Sequence, residues 1–194
     1  MKQINLDALS ERAYNIACAH GFHDSELSDS HFFCLVISEL CEAVEADRKG
    51  KHADMESFKD SLSGKHMCSD ESWFKVLFDE LIKDTVEDEL ADSVIRLLDL
   101  AGLRKIKLSI YGKLGTANLY KMSFTEAIQN IIGEIYKESW GGYYAEKDQL
   151  KNIIEMMLEK IHSLSRGLEI DLLESIEKKM QYNELREKMH GKKY

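Results

Sequence analysis

Not one of the 194 residues is proline. Proline is the strongest helix breaker, costing ~3 kcal/mol in a helix interior. Ala, Leu, Glu, Lys, Met and Ile are plentiful instead, and most of these favour helix. An all-α protein is therefore expected. The length suffices for one well-filled core, so a single domain over 1–194 is the starting expectation.

Apolar spacing and capping residues divide the chain. An amphipathic helix over about 5–20 runs through Leu6, Leu9, Ala13, Ile16 and Ala17, and Gly21 is its C-cap candidate. A second is capped by Asp29 or Ser30 and ends near Lys49–Gly50. Residues 51–70 are polar and read as a loop. One long helical pattern follows from Ser72 to Lys105, and Gly112 and Gly115 then punctuate. Helices are predicted over 123–138 and 146–165, separated by Gly141–Gly142, and a last one over 171–189.

The net charge of −9 argues against a protein that coats nucleic acid or an anionic membrane, which needs basic patches. It leaves room for a phosphorylated ligand that brings its own cation. Cys18, Cys34, Cys41 and Cys68 show no C-x-x-C spacing and read as buried or incidental thiols of a reducing compartment. No window is apolar enough for a signal peptide or a membrane span, so a cytoplasmic protein is expected.

Two acidic pairs interrupt apolar stretches: Glu39-Leu-Cys-Glu42 and Glu89-Leu-Ala-Asp92. At i and i+3 the members of each pair lie about 60° apart on one helix face. The first borders Phe32, Phe33, Val36 and Leu40; the second borders Leu90, Val94, Leu97 and Leu98. Glu89, Asp92, Arg96 and Asp99 continue as a narrow polar seam on an otherwise apolar helix. Acids in a core stripe need protons, partners or metal, and four carboxylates facing each other form a hard oxygen cage suited to Mg²⁺. Spacing alone does not choose between this and a solvated face, because Glu42/Glu45, Glu174/Glu177 and Glu184/Glu187 repeat it in a chain that is 31% charged.

Three stretches, in order, resemble the motifs of the MazG-like, all-α nucleoside triphosphate pyrophosphohydrolases. The first is Ile37-Ser-Glu-Leu-Cys-Glu-Ala-Val-Glu-Ala-Asp-Arg-Lys-Gly50. The second is Glu87-Asp-Glu-Leu-Ala-Asp-Ser-Val-Ile-Arg-Leu-Leu-Asp-Leu-Ala101. The third starts at Glu169-Ile-Asp-Leu172 and continues through Lys179-Met-x-x-Asn183-x-x-Arg186. The resemblance implies Mg²⁺-dependent hydrolysis of a nucleoside triphosphate to monophosphate and pyrophosphate, with Mn²⁺ as a possible substitute. It makes Glu39, Glu42, Glu89 and Asp92 the metal ligands, with Glu42 a spare carboxylate for the proton of the attacking water. Lys179, Asn183 and Arg186 share a helix face and become phosphate contacts. Arg96 is a further phosphate contact or else the partner of Asp99, and Lys83 and Tyr182 are weaker candidates. The implied architecture packs the two acidic helices antiparallel in a four-helix core made of about 1–105 and 166–194. The implied assembly is a homodimer or homotetramer.

The chain departs from that pattern in two places. The gap from Glu42 to Glu89 is long, and 106–165 reads as a helical insert lying outside the core. Trp73 and Trp140 fall in these parts and read as core or interface residues more readily than as base-stacking ones. Glu187-x-x-His190 is a single E-x-x-H, whereas a di-iron bundle needs two. His31 reads as a helix-start or surface residue. A related enzyme acting on another nucleotide, such as phosphoribosyl-ATP or dUTP, and a non-catalytic helical interaction module are the alternative functions.

Overall fold

The computed structural model describes residues 5–64, 69–109, 119–139 and 147–191. Its elements are α1 (Leu6–Ala19), α2 (Asp29–Arg48), α3 (Met55–Leu62), α4 (Asp70–Leu81), α5 (Val86–Leu103), α6 (Phe124–Ser139), α7 (Lys147–Gly167) and α8 (Leu172–Glu184), with short 3₁₀ turns at Leu119–Lys121 and Lys188–Gly191. No strand occurs among the described residues, and none of their helices is long and apolar enough to cross a membrane. The all-α expectation holds.

Local chemistry sets the boundaries. Asn5, Ser28, Asp54, Ser69, Thr85 and Asp171 each cap a helix by accepting a backbone N–H two or three residues into the first turn. For α2 the cap is therefore Ser28, with Asp29 already helical. Gly21 ends α1 in the left-handed region (φ +81°), and the N–H groups of Gly21 and Phe22 close back on the carbonyls of Cys18 and Ala17. A side chain at Gly21 would also have its Cβ 2.6 Å from Cε of Lys188. Glycine thus serves both the turn and the close approach of the C-terminal segment.

α5 is the central element and packs against α1, α2, α7 and α8. Asp29 pairs with Arg104, Glu39 with Arg96, and the carbonyl of Lys51 accepts from the N–H of Val86. That descending register makes α2 and α5 antiparallel, as expected. α1 approaches α5 at Gly102, where an added Cβ would lie 2.6 Å from Tyr14 Cβ and 2.9 Å from the Ser10 carbonyl.

Four expectations are corrected. The 51–70 stretch contains a helix, α3, which with α4 forms a small second core of Phe58, Phe74, Leu77, Phe78, Ile82 and Tyr182. The single pattern over 72–105 is two helices. The chain turns at Asp84 (φ +56°), and Thr85 Oγ1 donates to the Ile82 carbonyl (2.6 Å) while accepting from the N–H of Asp88 (3.3 Å). The segment after α5 does not lie outside the core. Ile128, Ile131, Ile154, Met157 and Ile161 of α6 and α7 are buried in one cluster with Leu90, Val94 and Leu98. The last helix also stops early, at Glu184. Beyond it the N–H of Met189 is taken by the carbonyl of His20, which pulls the chain onto the end of α1. The glycines at 112, 115, 141 and 142 lie outside the described residues.

Candidate metal-binding site

The first two turns of α5 carry Glu87, Asp88, Glu89 and Asp92, and α2 and α8 pack against them. These acids do not all serve one purpose. Glu87 accepts from the Ala53 N–H (2.8 Å) and His52 Nδ1 lies 3.0 Å from it, so it anchors the 51–54 segment. Glu39, Glu89 and Asp92 converge, with one carboxylate oxygen from each within 4.8 Å of the others. Ligand oxygens around a cation at about 2.0–2.6 Å have mutual separations of this size. An all-carboxylate donor set suits hard divalent cations such as Mg²⁺, Mn²⁺ or Ca²⁺. Asp84, Asp88 and Glu89 form a second group within the same distance, sharing Glu89.

Two buried cations stand against these acids. Nε and Nη2 of Arg96 both lie 3.1 Å from Oε1 of Glu39, whose residue is only 3% exposed. Lys179, 4% exposed, holds its Nζ 2.7 and 2.9 Å from the two oxygens of Asp88 and 2.9 Å from Oδ2 of Asp92. Burial pulls the pKa of this ammonium down, but Asp92 and Asp88 outweigh it and hold it above its ordinary value. Burial pushes the Asp88 carboxyl up to about 6, with Lys179 opposing and Asp92 adding. Glu89 is pushed furthest, to about 9, first by burial and then by Asp88 and Asp92. It accepts no hydrogen bond from the described residues. A buried carboxyl so placed takes a proton or a cation.

Beside the acids runs a narrow cleft of about 40 Å³. Asp92, Arg96 and Asp99 of α5 line one side, Ala13, Ile16 and Ala17 of α1 another, and Phe22, Asn183 and Arg186 complete it. Asp92 belongs to both cleft and acid group. The Asn183 residue is 6% exposed, yet its Oδ1 has no hydrogen-bond partner among the described residues. Arg96 lies under the Phe22 ring (5.9 Å), and Arg186 lies against Tyr182 (5.7 Å).

The structure thus brings together Glu39, Glu89, Asp92, Arg96 and Lys179, and sets Asn183 and Arg186 at the adjoining cleft. Arg96 pairs with Glu39 and not with Asp99, which is 2.8 Å from His23 Nε2. Glu42 lies outside the acid group: it is exposed and accepts from Ser38 Oγ at 3.2 Å. The Lys83 ammonium faces Asp79 at 4.0 Å and not the acid group. Tyr182 donates to Asp79 (2.6 Å) and stacks on Phe78, and burial first, then Asp79, raises its pKa to about 12. Trp73 belongs to the second core and donates to the Ser61 carbonyl; Trp140, Cys68 and the His190 side chain lie outside the described residues. Cys18, Cys34 and Cys41 are exposed, not buried. His31 is half-buried, edge-on to Phe32 at the start of α2.

Sequence reasoning missed Asp88 and Phe22. The signal for Asp88 was Thr85-x-x-Asp88, a helix-start pattern whose acid normally faces backbone. Here the carboxylate reaches back to the Asp84 N–H (3.0 Å) and also meets Lys179. Nothing local marks Phe22. Comparison of the chain with protein-family models, with curated proteins and with solved structures finds no match.

Proposed function

We propose that this protein is a Mg²⁺-dependent pyrophosphohydrolase that cleaves a nucleoside or deoxynucleoside triphosphate to monophosphate and pyrophosphate. The observation that carries the reading is the convergence of Glu39, Glu89 and Asp92 at the edge of a cleft holding two arginines, Arg96 and Arg186, and an amide oxygen without a hydrogen bond among the described residues. The resemblance of the three motifs supplies the substrate class and adds a homodimer or homotetramer.

In this reading Glu39, Glu89 and Asp92 hold Mg²⁺, or Mn²⁺ in its place. The bound ion supplies neutralisation of phosphate charge and a more acidic water. Arg186 binds phosphate oxygens, and Asn183 offers its amide to the same ligand. Arg96 joins them wherever its pairing with Glu39 is shared with the ligand. Phe22 and the small α1 residues form the apolar wall of the cleft. Glu42, exposed one turn along α2 from Glu39 and outside the acid group, is assigned no part. Lys83 is assigned no part. The enzyme would serve nucleotide-pool house-cleaning.

One observation favours a second reading. Arg96 and Lys179 already compensate Glu39, Asp88 and Asp92, as they would in a helical interaction module with a satisfied polar core.

Anion-exchange analysis of products separates the two. The purified protein is incubated with Mg²⁺ and each standard NTP and dNTP, with Asp92→Asn in parallel. Monophosphate plus pyrophosphate, lost in the variant, is the expected outcome. Diphosphate plus orthophosphate would sink attack at the α-phosphorus. No turnover together with no thermal shift on adding Mg²⁺ would favour the module.

A further inference from the structure

The two acid groups of α5 overlap, but they are not equivalent. The Glu39, Glu89 and Asp92 group has an acid, Glu89, that no donor among the described residues engages. The other depends on Asp88, whose Oδ2 is hydrogen-bonded and whose buried Oδ1 accepts no hydrogen bond among the described residues but is held in the Lys179 ion pair. Oδ1 faces Lys179 Nζ at 2.7 Å, and Oδ2 takes the same ammonium at 2.9 Å and the Asp84 N–H at 3.0 Å. The ammonium also reaches Asp92 at 2.9 Å, so it bridges two carboxylates one helical turn apart.

The surroundings of this ammonium are those of a built cation position. Phe78 and Tyr182 present their rings 5.6 and 5.9 Å from Nζ, and the rings stack on each other at 4.2 Å. Lys179 is nearly enclosed, on the buried side of α8 with Ile176, Met180 and Asn183. Its ammonium does not line the cleft that Asn183 and Arg186 border. Charge points the same way. With all four ionised, Glu39, Asp88, Glu89 and Asp92 set four carboxylates against the two cations Arg96 and Lys179, a formal excess that one divalent ion taking the place of the Glu89 proton would match.

We propose that the site takes one divalent cation per chain, and that the Lys179 ammonium stands in for a second one between Asp88 and Asp92. This rests on the metal-binding reading given above. It makes Lys179 a positioning residue that keeps Asp88 and Asp92 together, not a phosphate contact.

Mn²⁺ binding, counted by titration calorimetry and by the loss of free-ion EPR signal, tests it on the full chain without nucleotide. The wild type is expected to bind one Mn²⁺ and Lys179→Met two. Lys179→Met with Asp88→Asn, which removes one charge of each sign, is expected to return to one. If Lys179→Met does not fold without metal, it is refolded in Mn²⁺ and counted there. Failure to fold even then would overturn the proposal, since a second cation should replace the ammonium. Two Mn²⁺ in the wild type, or only one in Lys179→Met, would also overturn it while leaving the metal site intact. No Mn²⁺ in the wild type would remove the metal site and this inference together.

Discussion

The guanidinium of Arg96 meets the carboxylate of Glu39 at 3.1 Å across the α2–α5 contact, both side chains largely withdrawn from water. A pair in this position is sensitive to losing one partner, because a lone buried charge remains. Arg96→Met should therefore destabilise the metal-free protein by about 3–5 kcal/mol. Mg²⁺ should recover part of the loss if Glu39 is a ligand. Urea unfolding with and without Mg²⁺ measures both; equal stability of variant and wild type would show that Glu39 is neutralised in another way.

Glu89 gives a pH dependence whose sign is fixed by its raised pKa. The folded carboxyl stays protonated to about 9, whereas the unfolded one ionises near 4.5. Between those values the folded state binds the extra proton, so rising pH lowers stability, by up to about 1.4 kcal/mol per pH unit from this group. Asp88, raised to about 6, adds the same trend at the acid end. Glu89→Gln should flatten the curve and leave the metal-free variant more stable than wild type above neutral pH. Unfolding midpoints at pH 5, 7 and 9 decide it, and parallel curves for the two proteins would contradict the burial argument.

Asn183 makes no hydrogen bond through its Oδ1 to any of the described residues, so its amide contributes little to the fold. Asn183→Ala should change stability by no more than about 1 kcal/mol. If the amide serves a ligand, the same change should raise KM for the nucleotide at least about tenfold, a loss of roughly one hydrogen bond. A large drop in Tm with unchanged KM would instead make Asn183 a structural residue.

Gly102 offers a test independent of function. Alanine is the better helix former by ~1 kcal/mol, so an exposed glycine would gain from the change. Here the new Cβ would fall 2.6 Å from Tyr14 Cβ. Gly102→Ala should cost about 1–3 kcal/mol by forcing α1 away from α5. A raised Tm would mean that the helices separate easily.

Much of the helical framework was legible in the chain. The ends of α1 and α2 at Gly21 and Gly50, and the pairing of apolar stripe and acid seam on α5, follow from periodicity and capping within a few residues. The turn that splits 72–105 was also written locally, in Thr85-x-x-Asp88, but a continuous apolar pattern hid it. α3 escaped because its eight residues are mostly polar and only Phe58 is buried. The burial of α6 and α7 escaped because amphipathic helices look the same whether they pack on the main core or on each other.

The sequence by itself determined that this is a helical protein with acids set into its apolar faces, because hydrogen-bond caps and residue spacing act over one or two turns. Only the tertiary structure decided which acids form a site. Glu42 differs from Glu39 by about 60° around α2, and that rotation separates an exposed carboxylate from a buried one. Asp88 and Lys179 are 91 positions apart, and only the docking of α8 on α5 brings them together. A carboxylate's protonation and partners depend on burial and on charges supplied by other helices, and no local pattern carries that information.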